Sequence, residues 1–84
     1  MTLPMNILVY TRSGCCLCDE AFALLEKYRR KYRLTITAID IDADPALLAQ
    51  FNDKVPVLEF AGRPRMWGRI NEILLKRELA ANSP

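Results

Sequence analysis

The residues of this chain best suited to chemistry are three cysteines that lie within four positions, Cys15, Cys16 and Cys18. Cys15 and Cys18 form a Cys-x-x-Cys pair at the point where a predicted strand gives way to a predicted helix. The unpaired amide groups and the macrodipole of a helix N-terminus stabilise a thiolate, which is the reactive form of cysteine. Two thiols so spaced in a first helical turn can also close into a disulfide and open again. The pattern therefore predicts a reversible dithiol.

The two thiols of this pair are expected to have different roles. Cys15 lies near the predicted helix N-cap, so we expect it to be the more exposed thiol and the nucleophile that attacks a substrate disulfide. Cys18 lies one turn inside, and we expect it to be shielded and to resolve the mixed disulfide. Arg12 adds a positive charge three residues before Cys15 that favours a thiolate. Cys16 is expected to be an exposed, non-essential thiol.

Metal binding is the alternative to redox chemistry. Cys15, Cys16 and Cys18 could ligate a metal ion or an iron–sulfur cluster, but three thiolates cannot complete a four-ligand site alone. Glutathione, water or a second chain would have to supply the rest. The sequence contains no histidine, which excludes Cys-His catalysis and every histidine-containing zinc site.

Length and composition restrict the class of protein. A chain of 84 residues is expected to form a single domain over residues 1–84. Its net charge of +2 favours neither nucleic acid nor an anionic membrane as a partner. The sequence has no apolar run near the roughly 20 residues of a membrane helix. Residues 1–5 lack the features of a signal peptide, so the expected compartment is the cytoplasm.

The pattern of apolar residues predicts the elements that must position the cysteines. A short apolar run at residues 6–11 predicts a strand buried on both faces. Helices are expected at residues 19–31, 46–51 and 70–80, and further strands at residues 34–40, 57–60 and 65–67, with a turn at residues 61–64. The last helix is expected to pack one face, which carries Ile70, Ile73, Leu74, Arg77 and Leu79.

This order, βαβαββα, predicts an α/β fold. The first βαβ unit requires a right-handed parallel pairing, and the hairpin adds antiparallel strands. We therefore expect a four-stranded mixed sheet with flanking helices.

Three other features are interpreted as structural. Asp40, Asp42 and Asp44 lack the remaining ligands of a calcium loop and are expected to serve as strand end, loop and helix N-cap. The basic run at residues 27–33 is interpreted as a solvated helix end. Trp67 is expected either to lie near the active-site face or to be a core or edge residue.

Taken together, these residues resemble the glutaredoxin family within the thioredoxin fold. The resemblance rests on Tyr10-Thr11-Arg12-x-Gly14-Cys15-x-x-Cys18, on Val55-Pro56 about 40 residues later, and on Gly68 before the last helix. More narrowly, Met66-Trp67-Gly68-Arg69 is similar to the tail of small bacterial glutaredoxin-like proteins of poorly defined role. The resemblance implies that Pro56 is cis and faces the cysteines, and that the backbone of Val55 binds glutathione or a peptide.

The resemblance also implies a function and shows where this chain departs from the family. It implies a thiol–disulfide oxidoreductase that reduces protein or glutathione mixed disulfides. No built-in cofactor is implied, and the electrons would come from glutathione or a thioredoxin-reductase-type donor. Leu17 stands where the family has an aromatic wall of the glutathione groove. Arg12 matches the residue that binds the glycine carboxylate of glutathione. In the Gly-Gly-x-Asp stretch that holds the other end of glutathione, however, Trp67 replaces one glycine, the carboxylate is missing, and Arg69 has the opposite charge.

Overall fold

A computed structural model describes residues 4–83, and within this range the main elements follow the predicted order. The predicted domain span also includes residues 1–3 and 84, which lie outside the described range, so that span stays a prediction. The strands are β1 (Met5–Thr11), β2 (Leu34–Asp40), β3 (Val57–Phe60) and β4 (Arg63–Trp67), and the helices are α1 (Cys16–Tyr32), α2 (Pro45–Phe51) and α3 (Glu72–Asn82).

The four strands form one mixed sheet in the order β2-β1-β3-β4. β1 pairs with β2 in parallel, from Met5 opposite Leu34 to Thr11 opposite Asp40. β1 also pairs with β3 in antiparallel orientation, with Tyr10 opposite Val57. The predicted α/β architecture with a four-stranded mixed sheet is therefore confirmed. None of the helices within residues 4–83 has the length and hydropathy needed to cross a membrane.

The hydrophobic core is divided unequally between the two faces of the sheet. One face carries the larger cluster, in which Ile7, Val9 and Leu58 pack with residues of α1 and α3. The other face carries a smaller cluster built around Ile41, Phe51 and Val57. The prediction that β1 is buried on both faces is wrong, because its buried residues alternate with exposed or half-buried ones. The seven-residue α2 is too short to cover the second face.

The hairpin between β3 and β4 is tighter than predicted. Its turn consists of Ala61 and Gly62 only, both with positive φ (52° and 79°), as a type I′ hairpin turn requires. β4 therefore begins at Arg63 and includes Pro64, which the sequence assigned to the turn. An edge strand tolerates proline because the missing amide has no neighbouring strand to bond.

Helix α3 packs through a different face from the one predicted. Ile73 and Leu74 are 70% and 50% exposed, whereas Leu75 and Leu79 are fully buried. The prediction that Ile73 and Leu74 face the core is wrong. The apolar residues of α3 lie on more than one side of the helix, so spacing alone did not determine which side packs against the sheet.

A polar cluster joins α1 to α3 outside this core. Glu72, at the start of α3, accepts hydrogen bonds from Lys27 Nζ (2.8 Å) and from the Tyr28 hydroxyl. These hydrogen bonds lower the pKa of Glu72 below its ordinary value of 4.5, and they raise the pKa values of Lys27 and Tyr28. The ionised carboxylate at a helix N-terminus is also favoured by the dipole of α3.

The packing of α3 predicts a contrast between two adjacent leucines. We expect Leu75→Ala to lower the free energy of unfolding by about 2–5 kcal/mol, because it leaves a cavity in the core. Leu74→Ala, the matched control, should cost less than about 1 kcal/mol because half of that side chain is exposed. Urea unfolding measures both values. Equal losses would contradict the observed orientation of α3.

The cluster around Glu72 predicts a pH-dependent contribution to stability. Because the folded-state pKa of Glu72 is lowered, its contribution is present above the ordinary value of 4.5 and is lost as the pH falls through the folded-state pKa. We expect Glu72→Gln to be less stable than the wild type at about pH 7, and the difference to shrink steadily as the pH is lowered below about 4. The midpoints of urea unfolding, recorded for both proteins across this pH range, measure the difference in stability.

Glu26→Gln is the control for this experiment, since Glu26 pairs with Arg29 inside α1 and joins no second element. It should reduce stability less than Glu72→Gln does. A difference between Glu72→Gln and the wild type that does not change with pH would show that the ionised carboxylate is not the stabilising form.

Candidate active site

Cys15 is the N-cap residue of α1. Its backbone is extended (φ −92°, ψ 106°), and its Sγ accepts a hydrogen bond from the backbone N–H of Cys18 at 3.1 Å. The carbonyl of Cys15 accepts the Asp19 N–H, also at 3.1 Å. A sulfur thus takes the place of the oxygen that usually caps a helix. Helix α1 consequently begins at Cys16, which confirms the predicted position of Cys15 near the helix N-cap, although the apolar pattern alone predicted residues 19–31.

Cys15 and Cys18 are joined as a disulfide, with their Cα atoms 5.2 Å apart, a separation typical of disulfides. Cys18 is only 2% exposed, Cys15 is half-buried, and Cys16 is an exposed free thiol. The predicted difference in shielding between Cys15 and Cys18 is confirmed, as is the exposure of Cys16. The roles of nucleophile and resolving thiol stay predictions.

Val55 and Pro56 lie at the same edge of the sheet as the cysteines. Tyr10, near the end of β1, pairs with Val57 at the start of β3, so the segment leading to Cys15 and the segment ending in Pro56 lie side by side. The Val55-Pro56 bond is cis, as the resemblance implied, and Pro56 is buried. Val55 is half-buried, and no hydrogen bond within residues 4–83 engages its amide or carbonyl.

Gly68 connects the Pro56 segment to the start of α3. Its N–H lies 3.0 Å from the Pro56 carbonyl and 3.1 Å from the Lys54 carbonyl. Its φ of +73° is one that residues with a side chain rarely adopt. The next residue, Arg69, reaches Glu20 of α1 at 3.4 Å. Gly68 therefore lies beside Pro56, and its neighbour connects the same edge to α1.

Arg12 is held by two other loops. Its guanidinium donates to Asp42 Oδ1 at 2.9 Å, and to Asn52 Oδ1 and the Asn52 carbonyl at 2.9 and 3.2 Å. The Asp42 carboxylate therefore compensates much of the Arg12 charge. The predicted role of Arg12 toward the thiolate or an anionic ligand stays a prediction. Asp42 and Asn52 are site residues that the sequence analysis missed, and separations of 30 and 40 residues left no local signal for them.

The other candidate residues have definite positions. Leu17 is half-buried in the first turn of α1, between the exposed and the buried cysteine. Trp67 is 61% exposed on the edge strand β4, so it is not a core residue. Asp44 caps α2 by accepting the Ala46 N–H at 2.9 Å, and Asp40 caps the 3₁₀ turn that follows β2. Within residues 4–83, no cluster of three or more Cys, Asp or Glu side chains is arranged to hold a metal ion.

Tyr10 and Phe51 stabilise the end of β1 that leads to the cysteines. Their ring centroids are 4.7 Å apart, and the Tyr10 hydroxyl donates to Glu59 at 2.8 Å. Burial, and then the hydrogen bond to Glu59, raise the pKa of Tyr10. The end of β1 is thereby fixed against β3 and α2 immediately before the segment that carries the cysteines.

Comparison with known proteins agrees with this arrangement. The family model described as "Glutaredoxin-like domain (DUF836)" matches residues 6–80. The chain belongs to this family. The match includes Cys15, Cys18, Pro56 and Gly68, so this glutaredoxin-like domain contains the whole candidate site.

Relatives of this glutaredoxin-like domain confirm the fold. An uncharacterized protein of Mycobacterium tuberculosis is 27% identical over 78 residues, which cover 87% of this chain and 80% of that protein. The solution structure of protein Ne2328 from Nitrosomonas europaea is 28% identical, covers 93% of this chain and 94% of its own, and has a TM-score of 0.80. A thioredoxin variant from Halobacterium salinarum, 20% identical, covers 95% and 75% with a TM-score of 0.68, and shows the thioredoxin-like fold alone.

The burial of the three cysteines predicts their order of reaction in the reduced protein. We expect iodoacetamide to label Cys15 and Cys16 first and Cys18 at least about tenfold more slowly than Cys16, because accessibility limits the reaction of a buried thiol. Timed labelling followed by fragment mass spectrometry measures the three rates. Urea-unfolded protein provides the control, in which Cys16 and Cys18 should react alike. Equal rates in the folded protein would contradict the shielding of Cys18.

Proposed function

We propose that this glutaredoxin-like domain is a thiol–disulfide oxidoreductase in which Cys15 is the nucleophile and Cys18 the resolving thiol. The observation that carries the proposal is the position of Cys15. Its sulfur caps α1, receives the Cys18 N–H at 3.1 Å and lies within disulfide distance of a buried second thiol. Amide groups that point at a sulfur stabilise its thiolate, and the adjacent thiol provides the means of release.

The reaction begins with the reduced protein. The Cys15 thiolate attacks one sulfur of a substrate disulfide, and the other substrate sulfur leaves as a thiolate. The thiolate of Cys18, after loss of its proton to solvent, then attacks Cys15 Sγ. The bond between Cys15 and the substrate breaks, and the second substrate sulfur leaves as a thiolate, which takes up a proton from solvent. The substrate has gained two electrons, and the protein retains the Cys15–Cys18 disulfide.

The oxidised protein must then be reduced from outside. Two molecules of glutathione, oxidised to the glutathione disulfide, would balance the two electrons, and a thioredoxin-reductase-type donor would serve equally. The proposal includes no built-in cofactor. The substrates are protein disulfides or glutathione mixed disulfides, and the proposed compartment is the cytoplasm, where such thiols are kept reduced.

The edge around Val55 and Pro56 supports substrate binding next to the thiol. The unengaged amide and carbonyl of Val55 can pair with an extended substrate backbone, as if a strand were added. Leu17 and Gly68 would form neighbouring parts of this substrate-binding surface. Because Asp42 already binds the Arg12 guanidinium, an anionic ligand would have to share Arg12 with this carboxylate.

This proposal predicts distinct behaviour for single cysteine variants. We expect Cys18→Ser to accumulate a mixed disulfide at Cys15 when it is mixed with a peptide glutathionylated on its single cysteine, because the release step is missing. Cys15→Ser should lose at least about 99% of the exchange rate, since the step that starts the reaction is gone. Intact-protein mass spectrometry detects the trapped adduct, and release of glutathione measures the rate.

Cys16→Ser is the matched control, because it removes an exposed thiol from the same turn and leaves the pair intact. It should keep most of the exchange rate of the wild type. Exchange that persists in Cys15→Ser, or an adduct trapped on Cys16 in Cys18→Ser, would refute the assigned roles.

A further inference from the structure

An open groove of about 640 Å³ lies beside the candidate site. The edge strand β4 forms one wall, and helix α3 forms the other. Arg65, Arg69 and Arg77 line this groove together with the apolar residues Trp67, Ile70 and Leu74. Glu78 is its only carboxylate within residues 4–83. The lining of the groove therefore combines an excess of positively charged side chains with apolar ones.

Two of these arginines have no anionic partner in the part of the chain that the structure describes. The side chains of Arg65 and Arg77 make no hydrogen bond and no ion pair within residues 4–83. Arg69 has only a long contact of 3.4 Å to Glu20, and both of these side chains are more than half exposed. Guanidinium groups that are not already paired are well suited to bind carboxylates in a two-pronged geometry.

A β-bulge places Arg65 in this groove. Between Leu58 and Glu59 the register shifts, so that Leu58 pairs with Met66 and Glu59 with Pro64. Arg65 is the extra residue of the bulge and has no partner on β3. Bulges redirect a side chain and disrupt the edge of a sheet, so this edge is unsuited to plain strand addition. The exposed edge of β4 thus favours recognition through side chains.

Two residues of the groove lining, Trp67 and Arg69, flank Gly68 of the candidate active site. Trp67 precedes Gly68, whose N–H contacts the carbonyl of Pro56, and Arg69 reaches α1 through Glu20. From there, α3 lines the groove between Leu74 and Ala81, a length of about 10 Å at the rise of a helix. An extended chain covers that length with about three residues.

We propose that this groove binds an acidic segment of the substrate protein, next to the cysteine that reacts with Cys15. This inference rests on the proposed function and names its partner: a short extended segment with carboxylates for the arginines and a large apolar side chain for Trp67 and Leu74. Charge complementarity would speed and orient encounter, and aromatic residues such as Trp67 are enriched among those that supply most of the binding energy of an interface.

The test is a binding experiment that does not involve the thiols. The probe is a fluorescein-labelled, cysteine-free peptide of sequence Gly-Glu-Leu-Asp-Phe-Glu-Gly, and its partner peptide has lysine at each acidic position. Fluorescence anisotropy with the full, reduced chain gives both affinities. Trp67 is the only tryptophan in the sequence, so its emission, recorded with unlabelled peptide, independently reports whether the peptide lies in the groove.

Two double variants with the same change of charge separate the groove from net charge. Arg65→Glu/Arg77→Glu reverses both unpaired groove arginines. Arg30→Glu/Arg63→Glu reverses two exposed arginines, one on α1 and one on β4, that do not line the groove. We expect the groove variant to bind the acidic peptide at least about tenfold more weakly, and the control variant to lose less than about threefold. Trp67→Ala should also weaken binding.

Several outcomes would overturn the proposal: no binding of the acidic peptide, equal binding of the lysine peptide, or equal losses in the two double variants. Displacement of the acidic peptide from the groove by a short single-stranded RNA of higher affinity would assign the groove to nucleic acid instead. Circular dichroism verifies that each variant is folded. Because the peptide has no cysteine, failure here leaves the exchange by Cys15 untouched, and failure of that exchange leaves the binding result valid.

Discussion

The antiparallel pairing of β1 with β3 is the constraint on which the candidate site depends. β1 lies inside the sheet, with β2 on one side and β3 on the other, and its last residues lead directly to Cys15. The register that places Tyr10 opposite Val57 brings Pro56 to the same edge. If this pairing shifted by one residue, Ile7 and Val9 would leave the core and the segment before β3 would move away from the cysteines. The core that fixes the register therefore also assembles the site.

Contacts of Tyr10, before the cysteines, and of Gly68, after β4, stabilise the end of the sheet at which the cysteines lie. Tyr10 stacks on Phe51 and binds Glu59, so the end of β1 cannot move independently of α2 and β3. Gly68, which directly follows β4, donates its N–H to the carbonyl of Pro56. Only a residue that tolerates a φ of +73° can make this turn without strain, which explains why a glycine precedes α3. The thiols thus lie on a rigid support rather than on a free loop.

Much of this could be predicted from the sequence, and the failures have physical reasons. β2 and β3 were predicted with their observed bounds, because alternating or compact apolar runs between polar residues are clear signals. The position of Cys15 at the cap of α1 was predicted from the Cys-x-x-Cys motif, whereas the apolar stripe of the helix begins only at residue 19 and does not reveal its first turn. The packed face of α3 was missed because Ile73, Leu74 and Leu75 offer neighbouring apolar directions, and only contact with the sheet selects Leu75. The Arg12–Asp42 pair depends on tertiary structure, so no local pattern could reveal it.

The charged side chains near the cysteines differ from those that line the groove between β4 and α3. Arg12 is bound to Asp42, so the positive charge nearest to the cysteines in sequence is largely compensated. In the proposed reaction, the amide groups at the terminus of α1 would therefore contribute more than Arg12 to stabilising a thiolate at Cys15. Arg65 and Arg77, which have no carboxylate partner within residues 4–83, lie instead along β4 and α3 in a groove that none of the three cysteines lines. Under the proposed function, a substitution in this groove would therefore change which proteins bind and leave the reaction of the thiol pair unaltered.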